Sequence, residues 1–397
     1  MIPTIPQEES ANIDVNEGYL DKNEIEKIIT NISFQAADEP AIEVIKKVVS
    51  DANLATSPGN SQRWLWRYKN GILLLFLDKK REIGFADNFS FGSLVGLGCA
   101  LENLKLSSEH SGYNVSFEII DDDKLSSLAA KILFHKINQP TTKEKSLYEQ
   151  IPHRCSNRQD SEYQILSDFE VGGLMNQILP ENTIFRLITE KTKVDELGKL
   201  ICRGDRIRLT NEYGHQDFFK NEIRWSREES EAKKDGLDIT LFNLTELDKI
   251  GLTLSKELET IKVINKINGG LGFERISEKA FIGASAVGVI AIPTYSRKNL
   301  INAGIATEKI WLKATELKLG FQPYTVLQML FSRLYQDSNG YINSKEHSEI
   351  HEIKEKFDSI LPEFKAMETV FLFRLNYAKP PTDWSFRKRL EDKLIIG

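Results

Sequence analysis

Arg154-Cys155-Ser156-Asn157-Arg158 sets two guanidinium groups around one hydroxyl, a short way ahead of a helix start. Arginine gives bidentate, charge-assisted bonds to a phosphate and serine adds a neutral donor, so this pentapeptide can surround an anion. A solvated basic turn is the bland reading of the same residues. Near the other end of the chain, Arg387-Lys388-Arg389 forms a second basic cluster that is either a solvated tail or a partner for an anion. Between Ala55 and Trp66 the run ATSPGNSQRWLW puts Ser57, Asn60, Ser61 and Gln62 around a Pro58-Gly59 break, giving short polar side chains beside exposed backbone N–H groups. Such a loop suits an uncharged, planar, hydrogen-bonding ligand, and it also suits a plain helix-to-strand connection. Gly320-Phe321-Gln322-Pro323-Tyr324-Thr325-Val326 follows a small-sided helix and reads as a helix C-cap at Gly320 or as a turn that lends backbone N–H groups to a ligand.

Other familiar chemistries are not encoded. His347 and His351 stand one helical turn apart, but Glu349 is misplaced for an HExxH zinc site, and Gly269-Gly270-Leu271-Gly272 lacks the strand and helix spacing of a dinucleotide loop. There is no GxSxG or Walker motif, and six scattered histidines offer neither a triad nor a metal cluster. Cys99, Cys155 and Cys202 have no CxxC spacing and read as reduced thiols of a cytoplasmic protein. A net charge of -6, with 41% hydrophobic and 28% charged residues, describes an ordinary globular chain with no electrostatic reason to bind nucleic acid or anionic membrane. No apolar run reaches the ~20 residues of a bilayer crossing.

The elements that must position these groups follow from periodicity. Residues 1–19 read as a flexible arm, and Asp21 and Glu24 open a helix with Ile25, Ile28, Ile29 and Ile32 on one face. A second helix over Glu39–Ala52 leads into the Ser57 loop. Asn70-Gly71 between aromatic and aliphatic runs predicts a hairpin of Trp64–Tyr68 and Ile72–Leu77. Phe91–Gly112 is a small-sided, central helix followed by a strand at Asn114–Ile120. Ser167 and Glu170 cap a helix to about Ile178, a strand spans Thr183–Thr189, and the charged stretch Asp195–Asp238 reads as one or two exposed helices. A helical region over Leu237–Asn268, a strand at Val287–Pro293, a helix at Asn302–Gly320, a helix at Ser344–Leu361 and a strand at Thr369–Tyr377 complete the pattern. Gly96 and Gly112 are spaced like Gly304 and Gly320, with Leu104 and Leu312 in register, a weak internal repeat.

The loop at Ser57 resembles the SPxxNxQPW-type loop of the nitroreductase superfamily, and Arg154–Arg158 resembles the RxSxR signature of the same family. Arg387-Lys388-Arg389-Leu390-Glu391 is similar to its C-terminal R-x-x-L-E-like segment. The resemblance spans about Ile42 to Leu394. It implies an α+β nitroreductase fold, and the single copies of the loop and the phosphate motif imply two similar lobes in an internal pseudo-dimer with one site. The lobes would be 20–145 and 146–397, with a possible lid at 195–238 and a C-terminal strap at 378–397. It implies FMN as cofactor: Arg154, Ser156 and Arg158 at its phosphate, Arg387 as a third phosphate ligand with Arg389 as the substitute, Ser57, Asn60 and Gln62 at the ring, and Pro323, Thr325 and Val326 along the ring edge. The implied reaction is ping-pong hydride transfer from NAD(P)H through flavin N5 to a nitroaromatic, quinone or similar small molecule, with no catalytic side chain and no metal. The alternative is an FMN-sequestering protein with little turnover. Arg63, where the family usually has proline, favours that alternative if its side chain obstructs the ring face. The chain would act as a monomer or a weak homodimer.

Overall fold

Asn70 and Gly71 both adopt left-handed backbone, with φ of 50° and 76°, as a two-residue type I′ turn requires. The turn brings Lys69 opposite Ile72 and starts the first sheet. The computed structural model describes residues 37–78, 84–121, 127–137, 144–335, 337 and 340–397. The arm 1–19 and the helix expected from Asp21 lie outside them.

In chain order, helix α1 (Ile42–Ala52) precedes β1 (Trp64–Lys69) and β2 (Ile72–Leu77), then α2 (Phe91–His110), β3 (Tyr113–Ile119) and β4 (Leu128–Lys136). Helix α3 (Asp168–Met175) opens with the expected Ser167/Glu170 capping box and is followed by β5 (Ile184–Ile188) and α4 (Lys191–Thr210). Next come α5 (Arg227–Lys233), α6 (Glu246–Leu254), α7 (Leu258–Asn268) and α8 (Leu271–Ile282). The chain continues with β6 (Ala286–Ile292), α9 (Arg297–Glu316), β7 (Gly320–Pro323), α10 (Val326–Tyr335), α11 (Ser344–Ile360), β8 (Glu368–Asn376) and β9 (Leu394–Ile396). The first sheet runs β9-β1-β2-β4-β3 and the second β5-β6-β8-β7. Within these two sheets all pairs are antiparallel except β1 with β9, and a short parallel pair, Ile223–Arg224 with Leu237–Asp238, stands apart from them. The last strand therefore leaves the second sheet and returns to the edge of the first.

The main core joins α1, α2, α9, one face of the first sheet and residues of the second. Helix α2 is buried nearly all round, as a helix without an amphipathic stripe must be. Its closest approach is to α9. A Cβ at Gly98 would overlap the carbonyl oxygen of Ile301 and lie 2.8 Å from Gly304 Cα; a Cβ at Gly304 would overlap the carbonyl oxygen of Val95 and lie 2.8 Å from Gly98 Cα. Residues 98 and 304, like 95 and 301, are 206 apart, so the contact is reciprocal. The two 20-residue helices start and end at the same offset, at 91 and 297 and at 110 and 316. The expected repeat pairing of Gly96 with Gly304 is thus two residues out of register. Helix α9 also starts earlier than expected and stops at Glu316; Lys318, not Gly320, takes the left-handed conformation, and Gly320 opens β7.

The stretch Asp195–Asp238 differs from its reading as exposed helix. Val194, Leu197, Leu200, Ile201 and Ile207 bury one face of α4 against the second sheet and α10. The surrounding charges hide this apolar stripe in the sequence because they pair across helices: Arg206 with Glu274 and Glu349, and Arg203 with Glu352. Leu237–Asn268 is likewise divided, by a Thr245/Asp248 capping box and a second start after Glu257. Among the described residues no helix is long and apolar enough to cross a membrane, and no group of three or more His, Cys, Asp or Glu could hold a metal ion.

Candidate functional site

The loop after α1 is held in an unusual conformation. Gly59, Asn60 and Gln62 have φ of 54°, 55° and 52°, and non-glycine residues occupy that region only when their surroundings enforce it. Here the enforcement is a set of hydrogen bonds. The N–H groups of Asn60 and Ser61 donate to the carbonyls of Ser57 and Pro58 at 3.0 and 2.9 Å, and the Gln62 N–H donates to Ser57 Oγ at 3.0 Å. The loop's backbone donors are therefore partly consumed within the loop, contrary to the expectation that they stand exposed. Gln62 is buried beneath it, donating to the carbonyls of Asn60 and Lys234 and accepting from the Lys388 N–H at 2.8 Å. Lys393 Nζ donates to the Gln62 carbonyl at 2.6 Å. Gln62 is a brace from loop to tail and does not line the cavities described below.

Arg63 does not obstruct anything in the cleft. It is buried behind the loop, donating to Asp87 at 2.7 Å, to Ser93 Oγ at 3.1 Å and to the Asp78 carbonyl at 2.9 Å.

A cavity of about 140 Å³ lies between the loop, the 151–158 segment and the tail, and Asn60, Arg154, Ser156, Arg158 and Arg387 all contribute to its wall. The segment is fixed to the second sheet and the tail through Asn157, whose N–H donates to the Phe321 carbonyl and whose side-chain amide donates to the carbonyls of Ala378 and Lys379. Arg154 is buried, 2.8 Å from Glu308 of α9, stacked 4.5 Å from the Trp311 ring centre and donating to the Leu54 carbonyl at 2.6 Å. Arg387 donates to Asn60 Oδ1 at 2.9 Å and to the Leu54 carbonyl at 3.3 Å. Burial and the facing Arg154 charge hold the Arg387 guanidinium well below its ordinary proton affinity, with Glu308 opposing the shift. Burial also lowers Arg158, whose guanidinium lies 4.6 Å from the Phe242 ring centre. Arginine keeps its charge under such pressure; Arg387 also donates to the neutral carbonyls of Ala55, Ser385 and Phe386, and an anion in the cavity would add the negative charge that these acceptors do not supply. Lys388 pairs with Asp235 at 2.9 Å, and exposed Arg389 pairs with Asp392 at 3.2 Å, outside both cavity walls.

A second cavity of about 340 Å³ shares Thr56, Ser57, Ser156, Arg158 and Leu237 with the first. Phe91, Val95, Phe371 and Val326 give it apolar surface, and Pro323, Tyr324 and Thr325 line it where β7 ends. Chain between β5 and β6 covers it: Phe218, Glu222, Phe242 and Phe273 are in its wall, and Glu222 reaches the loop, 3.1 Å from where a Cβ on Gly59 would sit. Helix α4 contributes Asp205 and Arg208, and α8 contributes Ser277.

Sequence reasoning missed several of these groups. Glu308 is one of several charged residues of α9, next to Lys309, and only its burial opposite Arg154 sets it apart. Asp205, Ser277 and Glu222 sit in charged helical stretches that looked solvated, and nothing in their spacing points inward.

No family model matches the chain. It is 22% identical over 355 residues to MT1398 of Mycobacterium tuberculosis, an uncharacterized protein, covering 89% of this chain and 48% of that one. The chain thus spans about half the length of the curated relative it matches. It is structurally similar to FMN-dependent nitroreductases over part of its length. A nitroreductase with bound FMN from Bacteroides fragilis is 13% identical with a TM-score of 0.32, covering 63% of this chain and 95% of that one. One from Desulfitobacterium hafniense, also with bound FMN, is 14% identical with a TM-score of 0.33 and covers 63% and 97%. The FMN-dependent nitroreductase NfnB of Mycobacterium smegmatis, in complex with NADPH, is 10% identical with a TM-score of 0.32 and covers 62% and 96%.

Proposed function

We propose that the chain is an FMN-dependent oxidoreductase of nitroreductase type. The observation that carries this reading is the convergence of buried Arg154 and half-buried Arg387 on one carbonyl, with Glu308 as counter-charge, beside Ser156, Arg158 and Asn60. Three guanidinium groups stand in that wall, with Glu308 paired to Arg154 and the wall's Asp383 turned to Arg227, which suits a phosphate dianion, and the larger cavity that shares their wall has the apolar surface a flavin ring needs. When bound, FMN would supply two-electron chemistry, taking hydride from NAD(P)H and yielding it to a nitroaromatic, quinone or similar acceptor.

The chain's own part is to bind, orient and exclude water. Arg154, Ser156, Arg158 and Arg387 would hold the phosphate, with Asn60, which lines only the smaller cavity, steadying Arg387 there and not touching the ring; Ser57, in the wall of both cavities, would meet the ring, and Pro323, Thr325 and Val326 would border its edge. The reciprocal contact of Gly98 and Gly304 supports reading the two halves as an internal pseudo-dimer with one such site, working as a monomer or weak homodimer.

The purified protein tests the reading directly. It should be yellow or take up one FMN per chain, and it should oxidise NADPH or NADH with nitrofurazone or menadione as acceptor. A colourless protein that takes up no FMN defeats it. A second reading, FMN sequestration with little turnover, is favoured by the cover over the large cavity, where Glu222 closes on Gly59. Bound FMN that stays oxidised in excess NADPH and NADH selects that reading.

A further inference from the structure

We propose that Asp205 is the proton donor to the acceptor bound in the larger cavity, an inference that rests on the oxidoreductase reading above. Both Asp205 and Ser277 are in that cavity's wall, and the Ser277 hydroxyl donates to the Asp205 carboxyl at 2.6 Å. The other carboxylates of the wall are engaged differently. Glu222 is paired with Arg208, Asp248 with Lys279 at 3.2 Å, and Asp160 accepts from Asn243 at 2.8 Å. Asp205 is fixed by a neutral hydroxyl, and the nearby Arg208 guanidinium is turned to Glu222.

The groups that face it are Cys202 and Arg208 from its own helix, Ser277 from α8 and Tyr324 from the end of β7, with Arg158 and Arg374 beyond Tyr324. Burial outweighs the Ser277 bond and the Arg208 charge and pushes the carboxyl up to about 6, so protonated acid persists near neutral pH. Reduction of a quinone to a hydroquinone takes one hydride and one proton. The hydride, from a reduced nicotinamide, carries both electrons. The proton comes from Asp205: its O–H bond breaks, an O–H bond forms on the acceptor, and the carboxylate is reprotonated from solvent.

Asp205→Asn and Ser277→Ala in the full chain test the assignment, with menadione as the acceptor. Protein free of FMN should show an infrared carboxylic-acid C=O band that titrates near pH ~6, that Asp205→Asn abolishes and that Ser277→Ala moves to higher pH. In FMN-loaded wild type, the rate of acceptor reduction should fall about tenfold per pH unit above that midpoint. It should be ~100-fold lower and flat with pH in Asp205→Asn, and follow the shifted midpoint in Ser277→Ala. If Asp205→Asn binds FMN with an unchanged spectrum and reduces menadione at the wild-type rate and pH profile, the assignment is wrong while the oxidoreductase reading survives. Wild-type protein that takes up no FMN removes both.

Discussion

Arg154 and Arg387 donate to the same oxygen, the carbonyl of Leu54, at 2.6 and 3.3 Å. Two like charges at one acceptor, in a wall shared with Arg158, make an arrangement that an anion relieves. Replacing Arg387 with alanine should therefore weaken FMN by the value of a charge-assisted hydrogen bond, about 1.5–3 kcal/mol, which is roughly 10- to 150-fold in Kd. Arg389→Ala, whose side chain is exposed and paired with Asp392, should change Kd by less than about twofold. Fluorescence titration with FMN measures both. Equal losses would place the phosphate elsewhere on the tail.

Arg154 has a structural duty that Arg387 lacks. Its partner Glu308 is fully buried, and burial already raises that carboxyl above its ordinary range. Arg154→Met should cost about 3–5 kcal/mol of stability by leaving a buried charge unpaired, whereas Arg154→Met with Glu308→Leu should recover most of it. Urea denaturation checks the stabilities. FMN binding should remain lost in the double variant, separating the role in folding from the role in binding.

The parts of this site that were legible in the sequence are those whose signal is local. Asn70-Gly71 announced its hairpin because two left-handed residues in a row demand that chemistry. The Ser57 loop and Arg154–Arg158 were legible as short motifs, and the structure brings them together across one cleft. What escaped depends on partners distant in the chain. Arg63 looked like an obstruction because nothing beside it announces Asp87, 24 residues on, which draws the side chain away. The three-residue strand Leu394–Ile396 is too short to carry a period, and only its pairing with β1 defines it. The like spacing of glycines on two helices was visible, but not which of them meet, because only the contact shows that Gly98 lies against Gly304.

That contact makes a sharp comparison between two glycines. At Gly98 a methyl group would strike the Ile301 backbone, which cannot swing aside as a side chain can, so Gly98→Ala should lose ~3 kcal/mol or more. Gly251 lies in α6 with nothing within 4 Å of a built Cβ, so Gly251→Ala should gain about 0.4–1 kcal/mol by restricting the unfolded chain. Thermal and urea denaturation of the two variants should move in opposite directions. A tolerated Gly98→Ala would mean that the helix pair is looser than the reciprocal packing implies.

Asp205 should leave its mark on stability even without any ligand. Its carboxyl holds its proton up to about 6 in the folded chain against 3.8 for the ordinary group. Between those values the folded protein binds more protons than the unfolded one, so stability must fall as pH rises through that interval. Above it the cost of ionising this partly buried carboxyl is fully present, on the order of 2–3 kcal/mol at most. Buried Asp87, Glu222 and Glu308 are shifted the same way, so the contribution of Asp205 is the difference between wild type and Asp205→Asn. Urea denaturation of the FMN-free proteins at about pH 4 and about pH 7 should show the variant gaining on wild type as pH rises. A difference that stays constant between those pH values would mean that Asp205 ionises at its ordinary value, and its proton would then be unavailable to an acceptor near neutral pH.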